Sequence, residues 1–202
     1  MMETKIAALV LAGGKSSRMG RDKALIPWKG IPMLDRVCST ANICCDRVYI
    51  ITPRVTQYQT ILKQDYFFLE ESSQGRGPII AFAEGLSQIN RVSYFDWILL
   101  LACDLPKLQV EILQSWIQYL DGLPANIVAL VPQNKDRQWE PLCAFYRPKI
   151  LSDLEKFIDR GGNSFQVWLS SVSVKPIFMS SEENLMLWNC NTSSDLKQET
   201  ID

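Results

Sequence analysis

The chain contains 202 residues with a formal net charge of -1, and 47% of them are hydrophobic and 21% charged. This composition is typical of a globular protein with one sizeable core, and a charge near zero excludes a general electrostatic attraction to nucleic acid or to an anionic membrane. No stretch reaches the roughly 18 consecutive apolar residues that a membrane-spanning helix needs.

The first half of the chain alternates between strand-like apolar runs and helix-like segments. Ile6–Leu11 is a continuous apolar run that predicts a buried strand. Arg47–Thr52 is rich in β-branched residues and stops before Pro53, so it predicts a second strand. The other elements predicted in this half are a strand over 66–69 and helices over 32–45 and 78–89.

The second half continues the same alternation. Trp97–Ala102 is the most apolar run and predicts a fully buried strand. Apolar residues then recur at helical spacing over 108–121, which predicts an amphipathic helix. The other elements predicted in this half are strands over 127–131 and 142–146, a helix over 148–159, and a last helix, strand and tail after Gly161-Gly162-Asn163.

The alternation predicts an α/β fold in a single domain spanning 1–202. Strands that are apolar throughout are typical of a parallel sheet covered by helices on both faces. We therefore expect three α/β/α layers around a mainly parallel, twisted, Rossmann-like sheet. Such sheets bind ligands beyond the carboxyl ends of their strands. Here a glycine-rich loop follows the first strand, Glu70 and Glu71 follow the third, and Asp104 follows the fourth.

The chain has six cysteines and no histidine. No two cysteines form a C-x-x-C pair, so we expect them to be buried, reduced and structural rather than zinc ligands or a disulfide framework. The lack of histidine excludes Ser-His-Asp and Cys-His hydrolysis and histidine general bases. Any chemistry must therefore use carboxylates, cations, backbone amides or a metal ion.

The glycine-rich loop over 11–23 reads L-A-G-G-K-S-S-R-M-G-R-D-K. Glycines allow backbone amides to converge on phosphate oxygens, and Arg18, Arg21 and Lys23 add cations that suit a polyphosphate. A P-loop is excluded because Leu9 stands where that motif requires glycine, and no G-x-G-x-x-G occurs. The alternative is a solvated basic loop without function, but three cations so close to a first strand argue against it.

The pattern L-A-G-G-x-S-x-R-M-G-x-D-K resembles the signature of the molybdenum cofactor guanylyltransferases, a family of nucleotidyltransferases. Cytidylyl and sugar-phosphate relatives more often have L-A-A-G, whereas this chain has Gly14. The resemblance covers nearly the whole chain and is strongest at the loop. Four later segments also match the family's order, namely Gly77-Pro78, Cys103-Asp104-Leu105-Pro106, Glu140-Pro141-Leu142 and Asn189-Cys190-Asn191-Thr192.

The resemblance implies transfer of GMP from GTP to the terminal phosphate of molybdopterin or its molybdenum form, with release of pyrophosphate. It also implies a Mg²⁺-dependent cytoplasmic enzyme that works with cofactor-inserting enzymes or molybdoenzyme chaperones and has no nucleic-acid or membrane partner. Because the acceptor is itself a phosphate, no strong base is needed. Positioning and charge neutralisation are then expected to supply most of the catalysis.

The same resemblance assigns roles to residues of the nucleotide site. Asp104 is the expected Mg²⁺ ligand, although an aspartate at this position could instead cap the following helix. Lys23 is expected to contact the triphosphate, with Arg18 assisting on the leaving pyrophosphate. Backbone contacts to the nucleotide are expected from Leu11, Ala12, Gly13 and Gly14.

Guanine recognition is expected from a carboxylate after the third strand, which would accept hydrogen bonds from the paired N–H donors of the base. Glu70 and Glu71 are both candidates, both stand where the family has aspartate, and Glu71 is favoured. At the end of the second strand, Thr52 stands where the family often has asparagine and could substitute as a hydrogen-bonding group.

The acceptor side is less defined by the resemblance. Molybdopterin contacts are expected from Arg76, Gly77, Glu140, Asn189 and Asn191. Asn189 and Asn191 could instead cap a helix that starts near Ser194. Trp139 and Trp188 could stack on the pterin or pack in the core.

Two other functions remain open. A cytidylyl- or sugar-phosphate nucleotidyltransferase would use the same scaffold, and a non-catalytic GTP-binding adaptor would bind nucleotide without turnover. Gly14 and Asp22-Lys23 favour the guanylyl enzymes, and the presence of both Lys23 and Asp104 argues against an adaptor. Release of pyrophosphate distinguishes turnover from binding alone.

Overall fold

A mainly parallel sheet forms the centre of the structure, a computed structural model that describes residues 4–14, 22–62, 65–72, 74–190 and 195. Its strands are β1 (Ile6–Leu11), β2 (Pro27–Trp28), β3 (Ile31–Pro32), β4 (Arg47–Thr52), β5 (Phe67–Glu70), β6 (Trp97–Ala102), β7 (Ala129–Gln133), β8 (Cys143–Tyr146) and β9 (Val174–Phe178). Among the described residues, seven strands form one sheet in the order β5-β4-β1-β6-β8-β7-β9, and β2 pairs with β3 in a separate hairpin. Within the large sheet, β8 runs antiparallel to both neighbours and the other pairings are parallel.

Helices cover both faces of this sheet. They are α1 (Met33–Cys44), α2 (Val55–Ile61), α3 (Pro78–Val92), α4 (Val110–Gln118), α5 (Leu151–Asp159), α6 (Phe165–Leu169) and α7 (Ser181–Met186). Successive residues of β1 point to opposite faces: Ala8 and Val10 join the core cluster that includes α1 and α4, and Ala7 and Leu9 join the cluster that includes α3 and α5. All residues of β1 and β6 are buried, so the predicted α/β/α layering is confirmed.

The predicted elements are present, with ends shifted by up to three residues. The helix predicted over 148–159 begins as the 3-10 turn Pro148–Ile150 before α5. Among the described helices, none combines the length and the apolar composition that a membrane crossing requires.

The short elements that were not predicted include α2, α7, the 3-10 turn Lys23–Leu25 and the β2–β3 hairpin. α2 has seven residues and buries only Tyr58, so it lacks the apolar stripe that reveals a longer helix. The hairpin turns at Lys29 and Gly30, whose φ angles are 48° and 79°, the pair of positive values that a tight two-residue turn needs. Strands of two residues are too short to produce a recognisable alternation.

The carboxyl ends of β1, β4, β5 and β6 meet at one edge of the sheet. In the register, Leu11 pairs with Ala102 and Thr52 pairs with Glu70. Backbone hydrogen bonds continue this order just beyond the strands, from Ala12 N–H to Ile51 O (3.0 Å), from Glu71 N–H to Thr52 O (3.1 Å) and from Cys103 N–H to Leu11 O (3.3 Å). The segments that follow these strands are therefore held side by side.

Candidate active site

A cavity of about 430 Å³ lies at this edge of the sheet. Of the residues predicted from the sequence, those that line it are Leu11, Ala12, Gly13, Gly14, Lys23, Glu71, Gly77 and Asp104. Residues that line it without having been predicted as site residues are Asp22, Ala24, Gly75, Pro78, Ala81, Ala102, Cys103 and Leu142. Within the part of the chain that the structure describes, the residues predicted to bind nucleotide thus share one cavity.

Lys23 and Asp104 form an ion pair in the wall of this cavity. Lys23 begins the 3-10 turn Lys23–Leu25, and Asp104 lies two residues beyond β6. Lys23 Nζ donates a hydrogen bond to Asp104 Oδ2, and the two side chains are only 17% and 19% exposed. Partial burial reduces screening by water, so both charges act strongly on a ligand in the cavity.

Asp104 has a free coordination position that suits a hard divalent cation. Its second carboxylate oxygen, Oδ1, is buried and has no hydrogen-bond partner among the described residues, and Asp104 lines the cavity. Among the described residues, no group of three or more histidine, cysteine or acidic side chains could hold a metal ion. One carboxylate is nevertheless a sufficient protein ligand for Mg²⁺ when substrate phosphates and water complete its octahedron.

The charges of the cavity also favour a cation. Among its described lining residues, Asp22, Glu71 and Asp104 carry carboxylates and Lys23 carries the one ammonium group. A divalent cation would be attracted to these described carboxylates, and it would reduce their repulsion of a bound polyphosphate.

Glu71, and not Glu70, occupies the cavity. Glu71 is 7% exposed, and its Oε2 is buried without a hydrogen-bond partner in the described part of the chain. Loss of hydration on burial, followed by the nearby charge of Glu84, raises the pKa of the Glu71 carboxyl above its usual value of 4.5. Glu70 ends β5, is exposed, and lines a second cavity beside α3.

Gly13 provides the space for the Glu71 carboxylate. A Cβ atom at Gly13 would lie 1.6 Å from Glu71 Oε2, whereas a Cβ atom at Gly14 would meet no atom within 4 Å. The first glycine of the pair therefore has a steric reason within this structure, and the carboxylate lies directly against the backbone of the glycine-rich loop.

Lys23 is oriented by residues that the sequence did not identify as site residues. Asp22 Oδ1 accepts a hydrogen bond from Ala24 N–H (3.2 Å) and so caps the turn that carries Lys23. Asp22 Oδ2 accepts hydrogen bonds from Arg54 Nη1 and from the hydroxyl of Tyr58, both at 2.9 Å. The Asp-Lys pair of the loop motif was a signal for Asp22, but neither Arg54, which directly precedes α2, nor Tyr58 within α2 stands in a motif.

Thr52, considered as a substitute for the family's asparagine, does not line the cavity. Its side chain is fully buried, and its hydroxyl donates to Ala12 O at 3.0 Å. Thr52 therefore contacts the backbone of the glycine-rich loop rather than the space that a ligand would fill.

The loop before α3 separates the two residues predicted there. Gly77 lines the main cavity and has a φ of 103°, in the left-handed region that favours glycine. Arg76 is exposed and lines the second cavity, which has a volume of about 530 Å³. The structure thus places Gly77 with the nucleotide residues and places Arg76 apart from them.

Glu140 and Asn189, two further predicted acceptor residues, lie outside the linings of both cavities. Glu140 accepts a hydrogen bond from Asn134 Nδ2 at 3.3 Å, and burial raises the pKa of its carboxyl. Asn189 is exposed, although the next residue, Cys190, donates its N–H to Asp104 O at 3.1 Å and brings this segment beside Asp104. The remaining predicted site residues, Arg18 and Asn191, lie outside the described residues, as does the helix start near Ser194.

The two tryptophans considered for pterin stacking both pack within the protein. The Trp188 ring lies 5.5 Å from the Trp28 ring, and Lys107 Nζ lies 4.8 Å from its centroid. Trp139 packs against the core cluster under α3, and its backbone N–H donates to the side chain of Gln166 at 3.0 Å. Neither tryptophan lines a described cavity.

All six cysteines are free thiols, as expected, but only Cys38, Cys143 and Cys190 are fully buried. Cys103 lines the cavity beside Asp104. Burial raises the pKa of the Cys103 thiol, and it raises that of Cys44 to about 11. These thiols are therefore neutral near pH 7 and do not act as thiolate ligands.

The chain is similar to known proteins over most of its length. Residues 8–173 match the family model of the MobA-like NTP transferase domain. A protein from a Nostoc species, named as a probable molybdenum cofactor guanylyltransferase, is 47% identical over 191 residues, which covers 95% of this chain and 88% of that protein. A protein of the same name from Synechococcus elongatus is 42% identical over 191 residues, with 94% of this chain and 95% of that protein covered.

Among solved structures, the fold is similar to the crystal structure of molybdopterin-guanine dinucleotide biosynthesis protein A from Archaeoglobus fulgidus. The TM-score is 0.75, the sequence identity is 23%, and 95% of each chain is covered. At this level of identity the similarity concerns the fold, and it agrees with the sheet and helix layers described above.

Proposed function

The chain belongs to the MobA-like NTP transferase family, and from this membership we propose that its cavity binds GTP and transfers GMP to the phosphate of molybdopterin. The product is the guanine dinucleotide form of the molybdenum cofactor, and pyrophosphate is released. Relatives with 42% and 47% identity carry the name molybdenum cofactor guanylyltransferase over most of the chain. The observation that carries the proposal is that Lys23, Asp104 and Glu71 share one cavity with the glycine-rich loop.

The reaction needs positioned charge more than it needs a base. A phosphate oxygen of the acceptor attacks the α-phosphorus of GTP, the bond from that phosphorus to the α,β-bridging oxygen breaks, and pyrophosphate leaves with the bonding electrons. The attacking phosphate is already an anion near neutral pH, so no side chain must remove a proton. This agrees with a chain that has no histidine. Lys23 contacts the β- and γ-phosphates and stabilises the charge that develops on the leaving group.

We propose that Asp104 holds Mg²⁺ in this reaction. Support comes from its unpartnered buried Oδ1 and from the excess of carboxylates among the described lining residues. When bound there, Mg²⁺ neutralises phosphate charge and polarises the α-phosphate. With Mg²⁺ held by Asp104, the Lys23 ammonium group, which lies beside that carboxylate in the structure, would contact the phosphates.

Glu71 selects guanine by accepting hydrogen bonds from N1–H and the 2-amino group. Its buried carboxylate oxygen lacks a partner among the described residues, and a base that supplies two N–H donors would satisfy it. Cytosine and adenine do not present this pair of adjacent donors. With either base the buried carboxylate would lack hydrogen-bond donors, which disfavours binding of that base.

Glu71→Gln should raise stability and lower GTP affinity. The pKa of the Glu71 carboxyl is raised in the folded state, so its contribution to the free energy of unfolding is full below pH 4.5 and is lost as pH rises through the folded pKa. At pH 7.5 we expect the variant to melt about 2–4 °C higher, the shift that ~1 kcal/mol produces in a domain of this size. Near pH 4 the two proteins should melt alike. The KM for GTP should rise by about tenfold to hundredfold, and a variant that is both less stable at pH 7.5 and unchanged in KM would contradict the assignment.

Gly13→Ala should displace the same carboxylate. Because the new Cβ would overlap Glu71 Oε2, the flexible end of the glutamate must move, and we expect the KM for GTP to rise about tenfold with little loss of stability. Gly14→Ala introduces no overlap and should have a smaller effect. In the double variant Gly13→Ala/Glu71→Gln the two losses should not add, because both remove the same contact. Additive losses in steady-state kinetics would separate Gly13 from Glu71.

The proposed function is tested by pyrophosphate release from GTP, CTP, ATP and UTP, each measured with and without molybdopterin and with Mg²⁺ or EDTA. We expect release from GTP only when acceptor and Mg²⁺ are both present. Preference for CTP would favour the cytidylyltransferase alternative. Binding of GTP without pyrophosphate release under these conditions would support the non-catalytic adaptor.

A further inference from the structure

Three side chains at or after the carboxyl end of β4 together contact both ends of the glycine-rich loop. The hydroxyl of Tyr58 donates to Asp22 Oδ2 at 2.9 Å and lies 3.3 Å from Ala12 O. Ala12 stands near the beginning of the loop and Asp22 near its end. The hydroxyl group of Tyr58, a fully buried residue of α2, thus contacts both the segment that enters the loop and the segment that leaves it.

Thr52 and Arg54 reinforce the same two points. Thr52 Oγ1 donates to Ala12 O at 3.0 Å and accepts a hydrogen bond from Arg54 N–H at 3.1 Å. The Arg54 guanidinium donates to Asp22 Oδ2 at 2.9 Å and forms an ion pair with it. Thr52, Arg54 and Tyr58 together are called the loop clasp below.

The hydrogen bonds of the loop clasp end at the turn that carries Lys23. Asp22 accepts from the clasp with Oδ2 and caps the Lys23 turn with Oδ1. Rotation of the Asp22 carboxylate would break both sets of contacts, so the orientation of the turn depends on Arg54 and Tyr58. Neither of these residues lines the cavity, so they can act on a ligand there only through Asp22 and Ala12.

We propose that Arg54 and Tyr58 are positioning residues of the transferase site: with Thr52 they hold the two ends of the glycine-rich loop at a fixed separation and direct Lys23 toward Asp104. This inference rests on the proposed function, because it assigns the loop and Lys23 to the triphosphate. Fixing these groups before substrate binds removes a reorganisation cost from the transition state. A displacement of the order of 1 Å in such a group is enough to slow an enzyme by about 10²-fold.

Tyr58→Phe removes the hydroxyl and leaves the aromatic ring in the core. The matched control is Tyr66→Phe, because Tyr66 belongs to the same core cluster and its hydroxyl contacts Ser39 at 3.4 Å, away from both described cavities. We expect Tyr58→Phe to lower kcat/KM for GTP by about tenfold, mainly through kcat, and the control to stay within about twofold of wild type. Equal kinetics of the two variants would overturn the proposal.

Two further comparisons separate positioning from general stability. In a protein that already carries Lys23→Ala, adding Tyr58→Phe should lower kcat/KM for GTP by less than about twofold, because the side chain that Tyr58 positions is already absent. Arg54→Ala should lower kcat/KM about tenfold and Arg54→Lys should restore part of it, since lysine keeps the charge beside Asp22. Full additivity with Lys23→Ala would show that the loop clasp does not act through Lys23.

Limited trypsin digestion tests the loop clasp without relying on activity. Lys15, Arg18 and Arg21 lie between the two points that the clasp holds, and we expect cleavage after them to be about tenfold faster in Tyr58→Phe than in Tyr66→Phe. Cleavage after Arg137, in an exposed turn elsewhere, should be the same in both. If the loop were cleaved faster in Tyr58→Phe than in Tyr66→Phe while the wild type released no pyrophosphate, the proposed function would be refuted and the structural role of the loop clasp would be supported. Equal cleavage at the loop would refute the clasp, whatever the activity of the wild type, and Arg54→Ala repeats the comparison if Tyr58→Phe fails to fold.

Discussion

Asp104→Asn is expected to lower kcat for pyrophosphate release by about 10³-fold, which corresponds to ~4 kcal/mol of lost transition-state stabilisation. Asparagine keeps the shape of the side chain but supplies no negative charge to a divalent cation. The α-phosphate then loses charge neutralisation at the point where the new bond forms. Because Asp104 Oδ1 has no hydrogen-bond partner among the described residues, the exchange breaks no described hydrogen bond at that atom, and the variant should remain folded.

The control for this substitution is Asp96→Asn, at the opposite end of the same strand. Asp96 directly precedes β6, and its Oδ2 accepts a hydrogen bond from Lys5 N–H at 2.9 Å. It lies far from the carboxyl edge of the sheet, so kcat should stay within about twofold of wild type. If Asp104→Asn kept more than about a tenth of the wild-type kcat at saturating Mg²⁺, the metal-ligand assignment would be refuted.

Lys23→Ala is expected to lower kcat/KM for GTP by about 10²-fold, the effect of removing one charged donor from a developing phosphate charge. The lysine is paired with Asp104 in the structure, so it also competes with a cation for that carboxylate. The variant should therefore bind GTP more weakly and bind Mg²⁺ alone at least as tightly as wild type does. Steady-state kinetics and calorimetric titration measure the two effects separately.

Lys149→Ala serves as the control for Lys23→Ala. Lys149 also donates its ammonium group to one oxygen, the carbonyl of Ala125, and it lines neither described cavity. Its removal should leave the kinetics within about twofold of wild type. Unchanged kcat/KM in Lys23→Ala, with this control also unchanged, would place the triphosphate elsewhere.

The fold follows from patterns that depend on many residues at once. Three predicted strands have the predicted bounds in the structure, namely Ile6–Leu11, Arg47–Thr52 and Trp97–Ala102. Short, largely apolar runs of this kind are typical of strands in a sheet that helices cover on both faces. The parallel order of these strands brings the segments after them to one edge. The position of the cavity was therefore predictable from the sequence.

Individual contacts of the site could be predicted only where the residues that form them belong to a recognisable motif. Asp104 and Lys23 each follow a recognisable motif, and they meet in the structure. The choice between Glu70 and Glu71 depends on which side chain turns inward after β5, and alternation along a short strand end does not determine this reliably. The close approach of the Glu71 carboxylate to Gly13 involves two segments far apart in sequence, so no local sequence pattern predicts it.

The loop clasp and the residues of the acceptor side could not be placed from sequence patterns. Tyr58 lies on a helix too short to be recognised, and Arg54 directly precedes that helix. Their role arises from hydrogen bonds to a residue more than 30 positions away. Arg76 was expected beside Gly77 in the site, but Arg76 lines the second cavity, whereas Gly77, which has a positive φ, lines the main one. Backbone direction at a glycine is a property of the fold and is not encoded by its neighbours alone.

A crystal structure of the protein with Mg²⁺ and a GTP analogue whose α,β-bridging oxygen is replaced by methylene would show whether nucleotide and cation meet at Asp104. We expect the cation about 2.1 Å from a carboxylate oxygen of Asp104, Lys23 in contact with the phosphates, and the guanine edge against Glu71. A nucleotide bound outside this cavity, or a metal ion held without Asp104 while Lys23 still pairs with it, would contradict the account.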